Sequence, residues 1–146
     1  MRYSQYKFNF YLNASHAIYI NGALGASHPH TWEIVLKAVK SQKGFMLFQE
    51  VEKKIEEFLS PFQNKFLNDF EAFREINPTL ENLTAYILEQ LDKILEPFGW
   101  IVFYIEISET PTRSYIISRV ENNVISDLQM KHLVTNIIEH AFSEES

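Results

Sequence analysis

Apolar and polar residues alternate early in the chain and recur at helical spacing further on. In residues 6–16 the even positions are mainly apolar and the odd positions mainly polar, which is typical of a strand with one buried face. From Leu47 the apolar residues follow a period of about 3.6 residues and stop before Pro61, which predicts a helix. A second helix is predicted from Pro78 to the turn residues 97–99.

Four strands are predicted, two before the helices and two after them. They run over residues 6–16, 30–39, 100–108 and 114–120. A glycine-containing loop joins the first pair, and Pro111 separates the second pair. The order strand, strand, helix, helix, strand, strand indicates an α+β fold with an antiparallel sheet.

The last segment, residues 121–146, is predicted to form an added amphipathic helix. Its apolar residues recur at helical spacing, so we expect it to pack on the domain formed by residues 1–120 or on a neighbouring subunit. His132 and His140 lie on this segment eight residues apart, with Glu139 beside the second. We interpret them as a solvated helix face, the alternative being a second metal site.

The composition indicates one globular domain and excludes several kinds of protein. The chain has 146 residues, of which 46% are hydrophobic and 14% aromatic, enough for a substantial core. A net charge of −6 argues against nucleic acid as the main partner. No segment has the length of apolar sequence that a membrane span needs, and residues 1–7 lack the apolar core of a signal peptide. A cytoplasmic location is therefore expected; the lack of cysteine adds little to this.

Three histidines near the start are the candidate metal ligands. His28 and His30 are two residues apart, so in a strand both imidazoles point to the same face. His16 ends the preceding strand, and pairing of the two strands would bring all three rings together. Three neutral imidazoles without a fourth protein ligand are typical of an open zinc site. The alternative is that these are loop histidines without a ligand.

Several motifs resemble those of the 6-pyruvoyltetrahydropterin and 6-carboxytetrahydropterin synthase family. In order along residues 5–119 they are Ala14-Ser15-His16, His28-Pro29-His30-Thr31-Trp32, Leu67-Asn68-Asp69, Asn77-Pro78-Thr79-Leu80-Glu81-Asn82 and Glu109-Thr110. Proline replaces the glycine that the family has between its two histidines. The resemblance implies the tunnelling fold, a four-stranded antiparallel sheet with two helices on one face.

The resemblance also implies a cofactor, a ligand and an assembly. Zn²⁺ would be held by His16, His28 and His30, and a pterin-like molecule would be bound by Glu109, with Thr110 as a second contact. A carboxylate suits the guanidine-like edge of a pterin because it accepts two parallel N–H donors. The family joins three subunits into a barrel and stacks two barrels, so a homotrimer or homohexamer is expected. Without the resemblance, Glu109 would be read as an ordinary strand-end carboxylate.

The chain departs from the family at the positions that handle protons. The family's cysteine falls on Leu24, and its Asp-His pair falls on Gln63 and Asn64. None of these side chains titrates near neutral pH, so none can act as a general acid or base. Glu33 and Asp69 are the remaining candidates for proton transfer, together with metal-bound hydroxide.

Three functions therefore stay open from the sequence. The chain is a zinc-dependent lyase acting on a dihydroneopterin triphosphate-like substrate, or a repurposed relative that binds zinc and a pterin-like ligand without turnover, or a structural subunit with a vestigial site. The basic residues considered for a substrate phosphate are Arg113, Arg74, Lys65 and Lys43.

Overall fold

The computed structural model describes residues 4–40 and 47–119, which form an α+β fold. The strands are β1 (Tyr6–His16), β2 (Tyr19–Ile20), β3 (Ala23–Leu24), β4 (His28–Lys40), β5 (Lys65–Phe66), β6 (Trp100–Thr110) and β7 (Arg113–Ser118). The helices are α1 (Phe48–Leu59) and α2 (Leu80–Leu95), with short 3-10 turns at residues 60–62, 67–69, 71–73 and 96–98. The predicted α+β class and its two helices are confirmed.

The main sheet has the strand order β5-β1-β4-β6-β7. Its four long strands are the predicted ones and are antiparallel to their neighbours, whereas β5 adds two residues in parallel to the edge of β1. Strand β4 begins at His28, two residues before the predicted start, because His28 pairs directly with His16. The loop between β1 and β4 carries the small hairpin β2–β3, whose turn residues Asn21 and Gly22 both have positive φ, as a type I′ turn requires.

Residue parity assigns one face of the sheet to the core. In β1 and β4, Leu12 lies opposite Trp32 and Ala14 lies opposite His30, and directly opposed residues share a face. The same face packs against α1 and α2, which contribute Val51, Ile55, Leu83, Ile87 and Leu91 to the core. His16 and His28 are the next opposed pair, so they extend the core-facing rows beyond the helices.

Helix α2 begins with a side-chain cap, whereas α1 does not. Thr79 Oγ1 accepts a hydrogen bond from the backbone N–H of Asn82 at 3.1 Å. Leu47 occupies the equivalent position before α1 and makes no side-chain cap. None of the described helices is long and apolar enough to cross a membrane. The predicted C-terminal helix and the domain boundary at residue 120 lie outside the described residues and stay predictions.

Candidate metal and ligand site

The imidazole of His16 is buried and fixed by one hydrogen bond. It ends β1, its exposed fraction is 4%, and its Nδ1 lies 2.7 Å from the carbonyl oxygen of Pro78. A carbonyl oxygen can only accept, so Nδ1 carries the proton and Nε2 keeps its lone pair. This is the hydrogen bond that commonly orients a metal-binding histidine.

His30 lies beside His16 on the same face, above an indole ring. The centroids of the two imidazole rings are 5.0 Å apart. Both rings make edge contacts with Trp32, whose ring centroid lies 4.9 Å from that of His16 and 5.2 Å from that of His30. Trp32 is fully buried, and its Nε1 donates to the carbonyl oxygen of Ala14. Burial lowers the pKa of His30, although the nearby carboxylate of Glu109 opposes this shift. The neutral imidazole that a metal needs is therefore favoured.

Glu109 reaches the two histidines from β6, where the register shifts. Ser108 pairs with Ser114 and Thr110 pairs with Arg113, so Glu109 is the extra residue of a bulge. Its Oε2 lies 4.0 Å from His16 Nε2, and its Oε1 lies 3.9 Å from His30 Nε2. Its side chain is 13% exposed, and Oε1 accepts a 2.6 Å hydrogen bond from Arg113 Nη2.

His16, His30 and Glu109 form a possible metal site, with one ligand atom from each residue and all three atoms within 4.8 Å of one another. His28 shares their face of the sheet but is exposed, and its ring centroid lies 6.4 Å from that of His30. The structure thus brings two of the three predicted histidines together and adds Glu109, which the sequence had suggested as a ligand anchor.

The outer edge of β1 is held by the segment that contains the relay positions. Gln63 Nε2 donates to the carbonyl oxygen of Tyr11, and Gln63 Oε1 accepts from the N–H of Asn13, both at 2.9 Å. The N–H of Asn64, whose φ is 62°, donates to the carbonyl oxygen of Asn13. The side-chain amide of Gln63 therefore acts as a short strand partner, a role that needs both a donor and an acceptor.

Two further amides hold the chain just after His16. Asn68 pairs with both backbone groups of Ala17 at 2.9 and 2.8 Å, and Asn77 pairs with both groups of Tyr19 at 2.8 and 3.0 Å. We call Gln63, Asn68 and Asn77 the amide clamps. With the carbonyl of Pro78, they brace His16 on both sides along the chain.

The carboxylates considered for proton transfer, Glu33 and Asp69, do not belong to the cluster of His16, His30 and Glu109, and neither does Leu24 at the family's cysteine position. Glu33 belongs to the opposite face of the sheet, where it accepts a hydrogen bond from the Tyr11 hydroxyl. Leu24 is exposed on β3, and Asp69 is exposed in a 3-10 turn. The loop that carries β2 and β3, residues 17–27, contains no cysteine, aspartate or glutamate.

The other candidates for ligand binding are distributed around the site. Thr110 is half-buried, with its hydroxyl 3.3 Å from that of Thr112. Lys65 is exposed on β5, and Arg74 is exposed beside Glu71 at 3.3 Å. Among the candidate basic residues that the structure describes, Arg113 is the one that contacts Glu109 directly. Lys43 falls outside the described residues, as do His132 and His140.

Removing one amide clamp should destabilise the fold. Asn68→Ala leaves the N–H and carbonyl of the buried residue Ala17 without these partners, which typically costs about 1–3 kcal/mol. Denaturant unfolding should report this loss in the free energy of unfolding. The matched control is Asn9→Ala at an exposed position of β1, with an expected change within about 0.5 kcal/mol. Equal stability of the two variants would contradict the bracing role.

A family model and several solved structures all relate this chain to 6-pyruvoyl tetrahydropterin synthases. The family model for 6-pyruvoyl tetrahydropterin synthase matches residues 5–120. The solved structure of that enzyme from Caenorhabditis elegans has a TM-score of 0.66 and 19% identity, covering 81% of this chain and 96% of that one. The Plasmodium falciparum enzyme has a TM-score of 0.53 and 20% identity over 78% and 97% of the two chains.

A Plasmodium vivax 6-pyruvoyltetrahydropterin synthase in which a catalytic glutamate is replaced by alanine has a TM-score of 0.57 and 17% identity, covering 80% of this chain and 98% of that one. A search of curated proteins gives no significant match. At these identities the structural matches establish the fold, and the family model establishes the relationship. The chain therefore belongs to the 6-pyruvoyl tetrahydropterin synthase family.

Proposed function

We propose that this protein is a metal-dependent, pterin-binding member of the family in which the usual proton relay is missing. The observation that carries the proposal is the convergence of His16, His30 and Glu109 at one end of the sheet. Two imidazoles and a carboxylate are three protein donors, and a site with three protein donors leaves a fourth position for a small molecule, unlike a closed structural site.

Zn²⁺ fits the donors that this site offers. His16 is oriented by Pro78 with its Nε2 lone pair available, and burial lowers the pKa of His30, which favours its neutral form. When bound, the metal would polarise oxygen atoms of a ligand. We propose His28 as the third ligand because it lies directly opposite His16 on the same face, where Cβ atoms of opposed residues are about 5 Å apart. Glu109 is the competing third donor.

The role proposed for Glu109 follows from its surroundings. The carboxylate is mostly shielded from water and accepts a charged hydrogen bond already, so it is placed to accept N–H donors. A pterin-like molecule offers two such donors side by side on its guanidine-like edge. Thr110, the next residue on β6, is the second proposed contact.

The family's lyase reaction is the function that the geometry supports least. Gln63 uses its donor and its acceptor on the backbone of β1, so it is committed to a structural role at a relay position. An aspartate there would have no N–H for the carbonyl of Tyr11. Glu33 faces away from the histidines. We therefore propose binding without efficient turnover as the alternative that these contacts favour over an active synthase.

Assembly from several copies is a further part of the proposal. Strand β7 forms the outer edge of the sheet, and its Tyr115 and Ile116 are large exposed apolar residues. On the other edge, β5 covers only two residues of β1. Exposed sheet edges favour pairing with another chain. We propose a homotrimer or homohexamer in which such edges meet.

Metal binding should depend on the histidines and on pH. Elemental analysis of protein purified without chelator should give about one zinc per chain, and His16→Ala and His30→Ala should each abolish it. Affinity should fall as pH drops through the histidine range because protons compete for the same lone pairs. Since burial lowers the pKa of His30, its own proton competes at a lower pH than that of an ordinary histidine.

The third ligand can be identified in the same assay. We expect His28→Ala to lose zinc and Glu109→Gln to keep it. The reverse result would make Glu109 the ligand and exclude the three-histidine set.

Glu109→Gln should weaken ligand binding without changing zinc content. The substitution keeps the shape but replaces an acceptor oxygen with a donor, which should cost about 1.5–3 kcal/mol in affinity for a pterin. Calorimetry should measure this loss. Glu106→Gln is the matched control because Glu106 lies on the same strand but bonds to the Tyr104 hydroxyl on the other face. Equal pterin affinities in wild type and Glu109→Gln would remove Glu109 from the site.

Turnover of dihydroneopterin triphosphate should be barely detectable. Loss of one general acid or base typically lowers a rate by about 10²- to 10⁴-fold, and losses within one relay are not additive. Zinc-loaded protein should be assayed by product chromatography. Robust conversion that disappears on removal of zinc would contradict the proposal and would require a base elsewhere in the chain.

A further inference from the structure

The carboxylate of Glu109 already has a guanidinium partner within its own chain. Arg113 Nη2 donates to Glu109 Oε1 at 2.6 Å, while Glu109 Oε2 faces His16 Nε2 at 4.0 Å. The arginine side chain is 62% exposed, whereas that of Glu109 is 13% exposed. One oxygen of the candidate anchor is therefore occupied from the solvent side.

The short connection between β6 and β7 places Arg113 at this point. Thr110 pairs with Arg113 across a turn formed by Pro111 and Thr112, and the bulge at Glu109 turns its side chain towards the histidines. The two charged residues are thus four positions apart and face the same site. The hairpin therefore brings the two side chains together, while the Arg113 side chain stays 62% exposed.

The chemistry of this contact resembles that expected of the ligand. A guanidinium presents coplanar N–H donors to a carboxylate, and it can engage both oxygens of the carboxylate in parallel. The guanidine-like edge of a pterin offers the same pattern of donors. The contact from Arg113 Nη2 therefore already takes up part of the acceptor capacity of Oε1 that the proposed ligand would use, so Arg113 and the ligand compete for this oxygen.

We propose that Arg113 is a specificity-determining residue that competes with the ligand for Glu109. This inference rests on the proposed function, since it assumes that Glu109 receives the ligand. A molecule with two parallel N–H donors can displace the arginine and replace its hydrogen bond. A molecule with one donor, or with an acceptor at that edge, cannot replace the lost contact. Arg113 then returns to water at little cost because it is already largely exposed.

The size of the effect of Arg113 on ligand affinity depends on how exposed the Arg113–Glu109 ion pair is to solvent. An ion pair with one well-solvated partner contributes little, so its removal should increase the affinity for a matching ligand by about 1.5- to 5-fold. A direct bond from Arg113 to the ligand would have the opposite effect. The sign of the change therefore separates competition from assistance.

The experiment is a fluorescence titration of zinc-loaded protein with pterin and with a 2,4-dioxopteridine, in which a carbonyl replaces the amino donor. Arg113→Ala should bind pterin about 1.5- to 5-fold more tightly than wild type, with no such gain for the dioxo compound. Lys93→Ala, which removes an exposed cation paired with Glu89 on α2, should leave both affinities unchanged.

Two other outcomes would overturn the inference, and a third would refute the proposed function on which it rests. Unchanged or weaker pterin binding by Arg113→Ala would show that Arg113 does not compete with the ligand. An equal gain for both compounds would show a general effect of charge or space rather than competition for Glu109. Failure of wild type, Arg113→Ala and Lys93→Ala alike to bind pterin would refute that proposed function.

Discussion

The hydrogen bond between the imidazole of His16 and the carbonyl oxygen of Pro78 is the contact on which the site depends. It joins the end of β1 to the residue just before the cap of α2, and these lie 62 positions apart in the sequence. The bond fixes the tautomer of His16, and therefore which nitrogen faces His30 and Glu109. The neighbouring clamp of Asn77 on Tyr19 holds the same two segments together.

Much of the fold follows from the sequence because its patterns are local. The alternation in β1 and the helical spacing in α1 and α2 report which face is buried, and the structure follows them closely. The two-residue strand β5 could not be predicted because a pair of residues has no period. The sequence predicts β4 from residue 30, whereas the strand begins at His28. Proline cannot donate a backbone hydrogen bond, so the pairing of Pro29 with Ser15 is not expected from residue preferences alone.

The part of the site that depends on residue type could be predicted from the sequence, whereas the part that depends on backbone geometry could not. His16 and His30 were expected to converge, and they do. The approach of Glu109 depends on a bulge, and the accepting group on Pro78 is a backbone carbonyl, so neither has a sequence signature. The sequence places Gln63 where the family has a residue of its Asp-His pair, and glutamine cannot act as an acid or base. Only the structure shows that its amide has acquired another task, and that Glu33 lies on the wrong face to replace it.

The amide clamps have a consequence for how such a protein can change over time. Each clamp forms its hydrogen bonds with backbone groups of β1 or of the residues that follow β1. These hydrogen bonds do not depend on which side chains are present at the positions they hold. Side chains along the edge can drift while His16 keeps its place. This tolerance is consistent with a fold shared at 17–20% identity. An engineer could accordingly vary the outward residues of β1 to alter surface properties while leaving Gln63, Asn68 and Asn77 untouched.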